Sequence, residues 1–370
     1  MTAAAVAAAA QNSRPIELGA EIAPQISVVI KALNEEAKIE ACLRSVFAEL
    51  GRLNCSHEVI LADSVSSDRT VEKALQFPVK VVQFEHIHER GCGAGVQLGY
   101  QHSSGEFVLF LDGDMTLQAG FLEAGLKALR DDARLGGVAG LLVDTCVRNA
   151  FDAHRVNAAV SNVARDEQWL NGGGLYRRAA ITAAGGYAAN RNLKGWEEAD
   201  LGMRVRAAGW RLQRIATPAV LHEGHAVSTA QLLRSLWRSG RAFSSGVLLK
   251  QAWGHAWFGD ALRLLVHPVA TIVWWMLGSV CLAGSAALGS SGPVQLWLGL
   301  SLLPVIGMML KKRSAKAGAL SVAMWHYWAL GLLCGLPLKT CKPRQALASR
   351  EISRQAGAGQ ALPHGAEGRR

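Results

Sequence analysis

Residues 105–117 read GEFVLFLDGDMTL, an apolar run that ends in two aspartates on either side of a glycine. A short unbroken block of Phe, Val and Leu is the pattern of a strand buried on both faces, and aspartate has no place inside one. The acids therefore mark where the strand leaves the core. The same punctuation recurs upstream. QISVVI (25–30) and HEVILAD (57–63) read as strands, the second ending on Asp63, and VKVVQF (79–84) as a third. Between them NEEAKIEACLRSVFAEL (34–50) carries Ile39, Leu43, Val46, Phe47 and Leu50 at helical spacing. SSDRTVEKALQF (66–77) opens a helix with acid and hydroxyl groups, and GAGVQLGYQHS (93–103) is a further helical segment. Strands joined by helices predict an α/β domain with a mostly parallel sheet, whose ligands sit beyond the carboxyl ends of the strands. Asp63, Asp112 and Asp114 all fall there.

Two carboxylates this close repel one another unless a cation shares them. Residues two apart in extended chain point the same way, so Asp112 and Asp114 would stand side by side, with Gly113 removing bulk between them. A hard divalent ion, Mg²⁺ or Mn²⁺, held by one or two carboxylates plus phosphate oxygens, meets that need. D-x-D is short enough to arise by chance; its place behind three strand–helix units is what makes Asp112 and Asp114 candidate metal ligands.

The chain has 370 residues, enough for one large or two ordinary domains. Half are hydrophobic and 18% charged, with mean hydropathy +0.16, and the apolar surplus lies after residue 263. Seven cysteines are scattered, with no C-x-x-C pair and no histidine at zinc spacing, which fits reduced thiols and a cytosolic catalytic part. The opening MTAAAVAAAAQNSRP has no basic residue before its alanine run, so residues 1–24 read as a disordered leader, not a signal peptide. A formal net charge of +10 admits nucleic acid, a membrane surface or an anionic substrate. Nucleic acid is the weakest of these, because no nucleic-acid-binding motif accompanies the charge.

Five ordered blocks resemble glycosyltransferase family 2, the inverting nucleotide-sugar transferases of the GT-A fold. They are ISVVIKALNEEAKIEACLRSV (26–46), EVILADSVSSDRT (58–70), GCGAGVQLGYQHSSGEFVLFLDGD (91–114), NGGGLYRRAAITAAGGY (171–187) and GWEEADLGMRVRAAGWRL (195–212). The resemblance covers about residues 25–250 and implies a Rossmann-like GT-A domain, a metal-dependent hexosyl transfer, and a nucleotide-sugar donor, with UDP-sugars favoured. It implies that Asn34, Glu35 and Asp63 line the nucleotide pocket, Asp63 on base or ribose. Gly91 and Gly93 would let the backbone pass close to the ligand. Asp112 would approach the ribose or the metal, Asp114 would hold the metal on the diphosphate, and His222 or His225 would add a further metal ligand or serve as a cap or core residue. In 195–201, Glu198 aligns with the usual base position and Glu197 precedes it, either being a carboxylate that can take the acceptor proton. Trp196 would stack on an acceptor sugar or belong to the core, and Asn34 and Glu35 would serve equally as helix caps. Asp200 and Arg204, four apart, read as a helical ion pair. Lys31 stands where the family usually has proline, contacting phosphate or standing as a surface charge. The Q-x-x-R-W signature of processive synthases is absent, so one sugar per encounter is expected.

The last third sets the location. Leu264–Leu288, Val294–Leu310 and Gly318–Leu338 are apolar segments of roughly spanning length. Lys311, Lys312, Arg313 and Lys316 form a basic loop that belongs on the cytoplasmic side, which keeps the catalytic domain there if the first two segments cross as a hairpin. A third crossing would export a basic tail against that tendency; a re-entrant or interfacial third segment removes the conflict. The organisation expected is a leader (1–24), a GT-A domain (25–228), an interfacial helical region (229–263), a membrane region (264–338) and a basic, disordered tail (339–370). The reading is an inner-membrane, multi-pass enzyme facing the cytoplasm, whose acceptor is a lipid or lipid-linked glycan of cell-envelope or exopolysaccharide synthesis. The alternatives are a polyprenyl-phosphate glycosyltransferase and a catalytically silent nucleotide-sugar-binding scaffold.

Overall fold

The computed structural model describes residues 24–144, 164–222 and 227–353; the leader, His225 and residues 354–370 of the tail lie outside them. The predicted strand–helix alternation is present. β1 (Ile26–Ala32), β2 (His57–Asp63), β3 (Lys80–Phe84) and β4 (Phe107–Asp112) are linked by α1 (Ile39–Leu50), α2 (Thr70–Ala74) and α3 (Cys92–Gln101). β1 pairs in parallel with both β2 and β4, and β2 with β3. Helix α1 buries Ile39, Leu43, Val46 and Leu50 against this sheet, the stripe that its spacing foretold.

Beyond β4 the sheet departs from the mostly parallel expectation. β5 (Met115–Leu117), β6 (Leu135–Asp144), β7 (Arg165–Asp166), β8 (Gly174–Arg177) and β9 (Arg211–His222) extend it, with α4 (Phe121–Asp131), α5 (Arg178–Ala183) and α6 (Glu197–Ala207) packed around them. The order is β10-β3-β2-β1-β4-β8-β6-β9-β5, with β7 on β9. β8 runs antiparallel to β4 and β6, and β5 antiparallel to β9. The result is a mixed α/β sheet in which only the β3-β2-β1-β4 portion is uniformly parallel.

Residues 229–263 form α7 (Thr229–Arg238), α8 (Ser244–Ala252) and α9 (Phe258–Leu264). Three longer helices follow: α10 (Val266–Leu288), α11 (Gly292–Lys312) and α12 (Ala315–Gly335), each long and apolar enough to cross a membrane. At 1.5 Å per residue they measure about 30–35 Å, the thickness of a hydrocarbon core. None of α11 is buried within the protein. An apolar helix left uncovered in this way is matched to lipid.

Helix α12 differs from its neighbours. Its second half packs into the interfacial helices: Ala329 and Leu332 are buried, Gly331 lies against the Ala242 carbonyl, and the Tyr327 hydroxyl donates to the Leu233 carbonyl at 2.8 Å. The chain then returns to the catalytic sheet. β10 (Ser349–Ile352) pairs antiparallel with β3, Arg191 donates to the carbonyls of Gln345 and Ala346, and Gln101 exchanges two hydrogen bonds with the Leu347 backbone. Residues 339–353 are therefore an integral edge of the domain, a correction to the disordered tail expected from their basic composition. Their order comes from tertiary pairing, which composition does not report. Because the chain leaves the domain after β9 and rejoins its sheet at β10, it crosses any bilayer an even number of times.

Leu347 anchors this return, 2% exposed among Ile60, Ala62, Val82, Phe84, Ala94 and Leu98. Leu347→Ala should cost about 2–5 kcal/mol of stability. Glu351→Ala on the exposed side of β10 should stay within about 0.5 kcal/mol. Denaturant melts of the detergent-solubilised protein read both.

Candidate active site

The carboxyl ends of β1, β2 and β4 bring the predicted acids together, and strand register decides which side chains meet. Lys31 stands opposite Asp112 across β1 and β4, and Ala32 opposite Asp63 across β1 and β2. The Lys31 Nζ lies 3.2 Å from Asp112 Oδ1 and 3.1 Å from Glu197 Oε1. Lys31 is thus neither a surface charge nor a free phosphate ligand; it bridges the end of β4 to the start of α6.

Asp112 and Asp114 do not stand side by side in extended chain, as the spacing suggested. Gly113 and Asp114 form a turn, pinned by the Gly113 amide on the Lys31 carbonyl (2.9 Å), and the two acids take different partners. Asp114 Oδ2 is 3.5 Å from His222 Nε2. The cause is again register, since Met115 is the direct partner of His222 across β5 and β9. Gly113 is needed on other grounds than bulk between the acids. A Cβ there would fall 3.1 Å from Glu35 Cγ, so the glycine makes room for Glu35 beside the turn.

The electrostatics follow from this crowding. Burial, then the Asp114 charge, pushes the Glu35 carboxyl up to about 7, with Lys38 opposing. Burial also raises Asp112, Lys31 restraining it and Asp114 adding to it. Burial works against the Asp114 charge too, but the His222 hydrogen bond and charge hold that carboxyl below its usual range. Burial disfavours the Lys31 charge, yet Asp112 and Glu197 keep the ammonium protonated well above its ordinary range.

Glu197 and Glu198, adjacent at the start of α6, have different surroundings. Glu197 is buried and tied to Lys31. Glu198 has no hydrogen-bond or ion-pair partner among the described residues, and burial followed by the Glu197 charge pushes its carboxyl up to about 8. Its Oε1 faces the space beside Gly172, which also borders Met115, the residue after the D-x-D turn. Trp196, just before α6, has φ 68° and packs edge-on against Trp328 of α12, ring centroids 6.0 Å apart. Asp200 and Arg204 form a fully buried ion pair (2.8 Å), and Arg204 also donates to the carbonyls of Ala184, Tyr187 and Ala188.

At the end of β2, Asp63 is fully buried. Its Oδ2 accepts from the Ser66 amide (3.0 Å) and from Gln83 Nε2 (2.7 Å), while Oδ1 is buried with no partner among the described residues. Arg350 of β10 donates twice to Gln83 Oε1 (3.1 and 2.6 Å), which orients that amide toward Asp63. Asn34, at φ 57°, accepts from the Ser67 amide at 2.8 Å, and the Glu35 amide donates to Thr70 Oγ1 at 2.7 Å. These bonds staple the loop after β1 to the loop after β2. Gly91 and Gly93 border residues of the 190–194 loop: a Cβ on Gly93 would fall 2.8 Å from the Leu193 carbonyl oxygen, and its amide already bonds that oxygen.

Reasoning from sequence missed the roles of Lys31, Gln83 and Arg350. The first two carried a signal, a polar residue inside an otherwise apolar strand; Arg350 carried none. Among the described residues no group of three or more His, Cys, Asp or Glu is preassembled for a metal. The Asp114–His222 pair nonetheless suits one, because neighbouring donors on an octahedral ion with ligand distances of about 2.1 Å lie about 3 Å apart. Mixed carboxylate and imidazole donors suit Mn²⁺ or Mg²⁺ completed by phosphate oxygens.

Comparison with known proteins agrees with this construction. Residues 27–174 match the model of glycosyl transferase family 2. The chain resembles glycosyltransferase AglE of Haloferax volcanii (33% identity over 29% of this chain and 36% of that one) and dolichol-phosphate mannosyltransferase of Pyrococcus furiosus (32%, over 25% and 26%). It thus spans about a third or less of the length of these curated relatives. A longer match, over 59% of this chain and 67% of the relative at 23% identity, is to the putative glycosyltransferase EpsH of Bacillus subtilis. Among solved structures, the mannosyltransferase PcManGT of Pyrobaculum calidifontis, in complex with GDP-Man and Mn²⁺, superposes with a TM-score of 0.54 at 19% identity, covering 88% of this chain and 91% of that one. The fold is that of a GT-A domain. The family resemblance is carried by residues 27–174, which match glycosyl transferase family 2. The family match ends before α6, so Glu197 and Glu198 rest on the geometry given above.

Gln83→Leu removes a buried hydrogen bond to a carboxylate and should cost about 1.5–3 kcal/mol. Arg350→Ala, at the exposed end of the same chain of bonds, should cost less. Denaturant titration of the two variants beside the parent protein gives the comparison.

Proposed function

We propose that the protein is a membrane-anchored, inverting glycosyltransferase that moves a hexosyl unit from a nucleotide sugar to a lipid or lipid-linked glycan, one sugar per encounter. The observation that carries this reading is the division of labour at α6: Lys31 occupies Glu197, and Glu198, beside the D-x-D turn, has no partner among the described residues. Glu198 is then the base that takes the proton from the acceptor hydroxyl as it attacks the anomeric carbon. Asp63 presents its free Oδ1 to an N–H of the base or a ribose hydroxyl, with Asn34 and Glu35 shaping the same loop. Asp112, Asp114 and His222 would hold a divalent ion. Such an ion offsets the negative charge that grows on the departing diphosphate. UDP-sugars are the first donors to test, with GDP-mannose beside them because PcManGT carries it.

A second reading is direct transfer to a polyprenyl phosphate. It is supported by relatives named for dolichol and undecaprenyl phosphate. A single-sugar lipid phosphate as product would favour it over the glycan acceptor. A silent scaffold fits poorly with crowded carboxylates held at raised protonation levels.

The arrangement in the membrane that best fits these features is an α10–α11 hairpin crossing the inner membrane, with α12 on the catalytic, cytoplasmic side. The return of β10 to the sheet and the basic loop 311–316 both support it. With native cysteines replaced, Ser290→Cys at the hairpin tip should react with an impermeant maleimide added outside intact cells, and Ser314→Cys should not. Equal labelling at the two positions would reject this topology.

Glu198→Gln should lower kcat by about 10²–10⁴-fold, and Glu197→Gln by less. Because Glu198 acts deprotonated and its carboxyl sits near 8 in the free protein, kcat/KM should fall about tenfold per pH unit on the acid side of that value and level off above it. A glutamine variant as active as the parent, or a flat profile between pH 6 and 8, would count against Glu198 as base.

A further inference from the structure

Lys31 has a use beyond tying two strands together. Its ammonium contacts Asp112 at 3.2 Å, and the two side chains are 17% and 36% exposed, so water screens the pair only in part. A divalent ion entering between Asp112 and Asp114 meets one carboxylate already neutralised by Lys31 and the other already engaged by His222. The Lys31 backbone cannot retreat, being fixed in β1 between β2 and β4. Its Nζ can give up Asp112 and keep Glu197, the second acid within 3.1 Å. That exchange leaves two cations near one another and is unfavourable until further negative charge arrives. A nucleoside diphosphate brings that charge.

We infer that Lys31 is a built-in counter-ion that competes with the divalent cation for Asp112, and so makes cation binding conditional on the nucleoside diphosphate. The inference rests on the reading that Asp112 and Asp114 hold the cation. It differs from a phosphate-binding role for Lys31, because it predicts that removing the lysine improves cation binding.

The test uses the full chain in detergent, titrated with Mn²⁺ while the electron paramagnetic resonance signal of free Mn²⁺ is followed. Titrations are run alone and with UDP or GDP, corrected for Mn²⁺ held by free nucleotide. The parent protein should bind Mn²⁺ weakly alone and more tightly with nucleotide. Lys31→Met should tighten binding of Mn²⁺ alone by about tenfold or more and narrow the gap between the two conditions, while Lys31→Arg should keep the parent behaviour. If Lys31→Met does not fold, Lys31→Gln carries the same expectation. A folded, uncharged variant whose Mn²⁺ affinity is unchanged or weaker overturns the competition. Failure of the underlying site looks different: the parent would bind no Mn²⁺ even with nucleotide, or Asp114→Asn would bind it as well as the parent does, and either result removes both the site and the competition.

Discussion

The arrangement of the site depends on one ammonium group between two carboxylates. Lys31 joins the end of β4 to the start of α6 through Asp112 and Glu197, residues 85 positions apart in the chain (197 minus 112). Breaking one side of such a pair is costly, because it leaves a buried charge uncompensated, whereas the pair itself need not add much net stability. Its value is geometric. It fixes which of two adjacent glutamates is engaged, and it lets Asp112, Asp114, Glu35 and Glu198 converge without mutual repulsion driving the loops apart.

A second constraint is the path of the chain. The segment from α7 to α12 is a long excursion whose two ends lie on one sheet, and β10 shields the edge of β3 that would otherwise be an open pairing surface. The same return reaches the end of β2. Arg350 holds Gln83, Gln83 holds Asp63, and the other oxygen of Asp63 has no partner among the described residues. A buried acceptor without a partner is expensive in a folded domain, and a ligand donor is the natural means of satisfying it.

Much of this was legible in the sequence because its signals are local. Apolar runs ending in acid located β2 and β4, helical spacing located α1, and uninterrupted apolar length located α10 to α12. What was not legible depended on pairing between distant segments. The D-x-D acids were expected to share a face, but their partners are set by the β1–β4 and β5–β9 registers, which periodicity does not report. Gly93 was expected to clear space for a ligand and borders the chain's own 190–193 loop. The tail reads as disordered by composition, yet Leu347 and the β3 edge give it a place to bind.

Trp196 links these two constraints. A non-glycine residue at φ 68° is held against an intrinsic cost of about 1–2 kcal/mol, so something must over-determine it. Trp328 is positioned to do so, from the part of α12 that packs into the interfacial helices. The residue that follows Trp196 begins α6, with Glu197 and then Glu198. The angle at which α6 starts is therefore set partly from the helix α12 side, through one aromatic contact, and partly from the sheet side, through Lys31. The start of α6 is thus the point where the support from the interfacial helices and the support from the sheet meet.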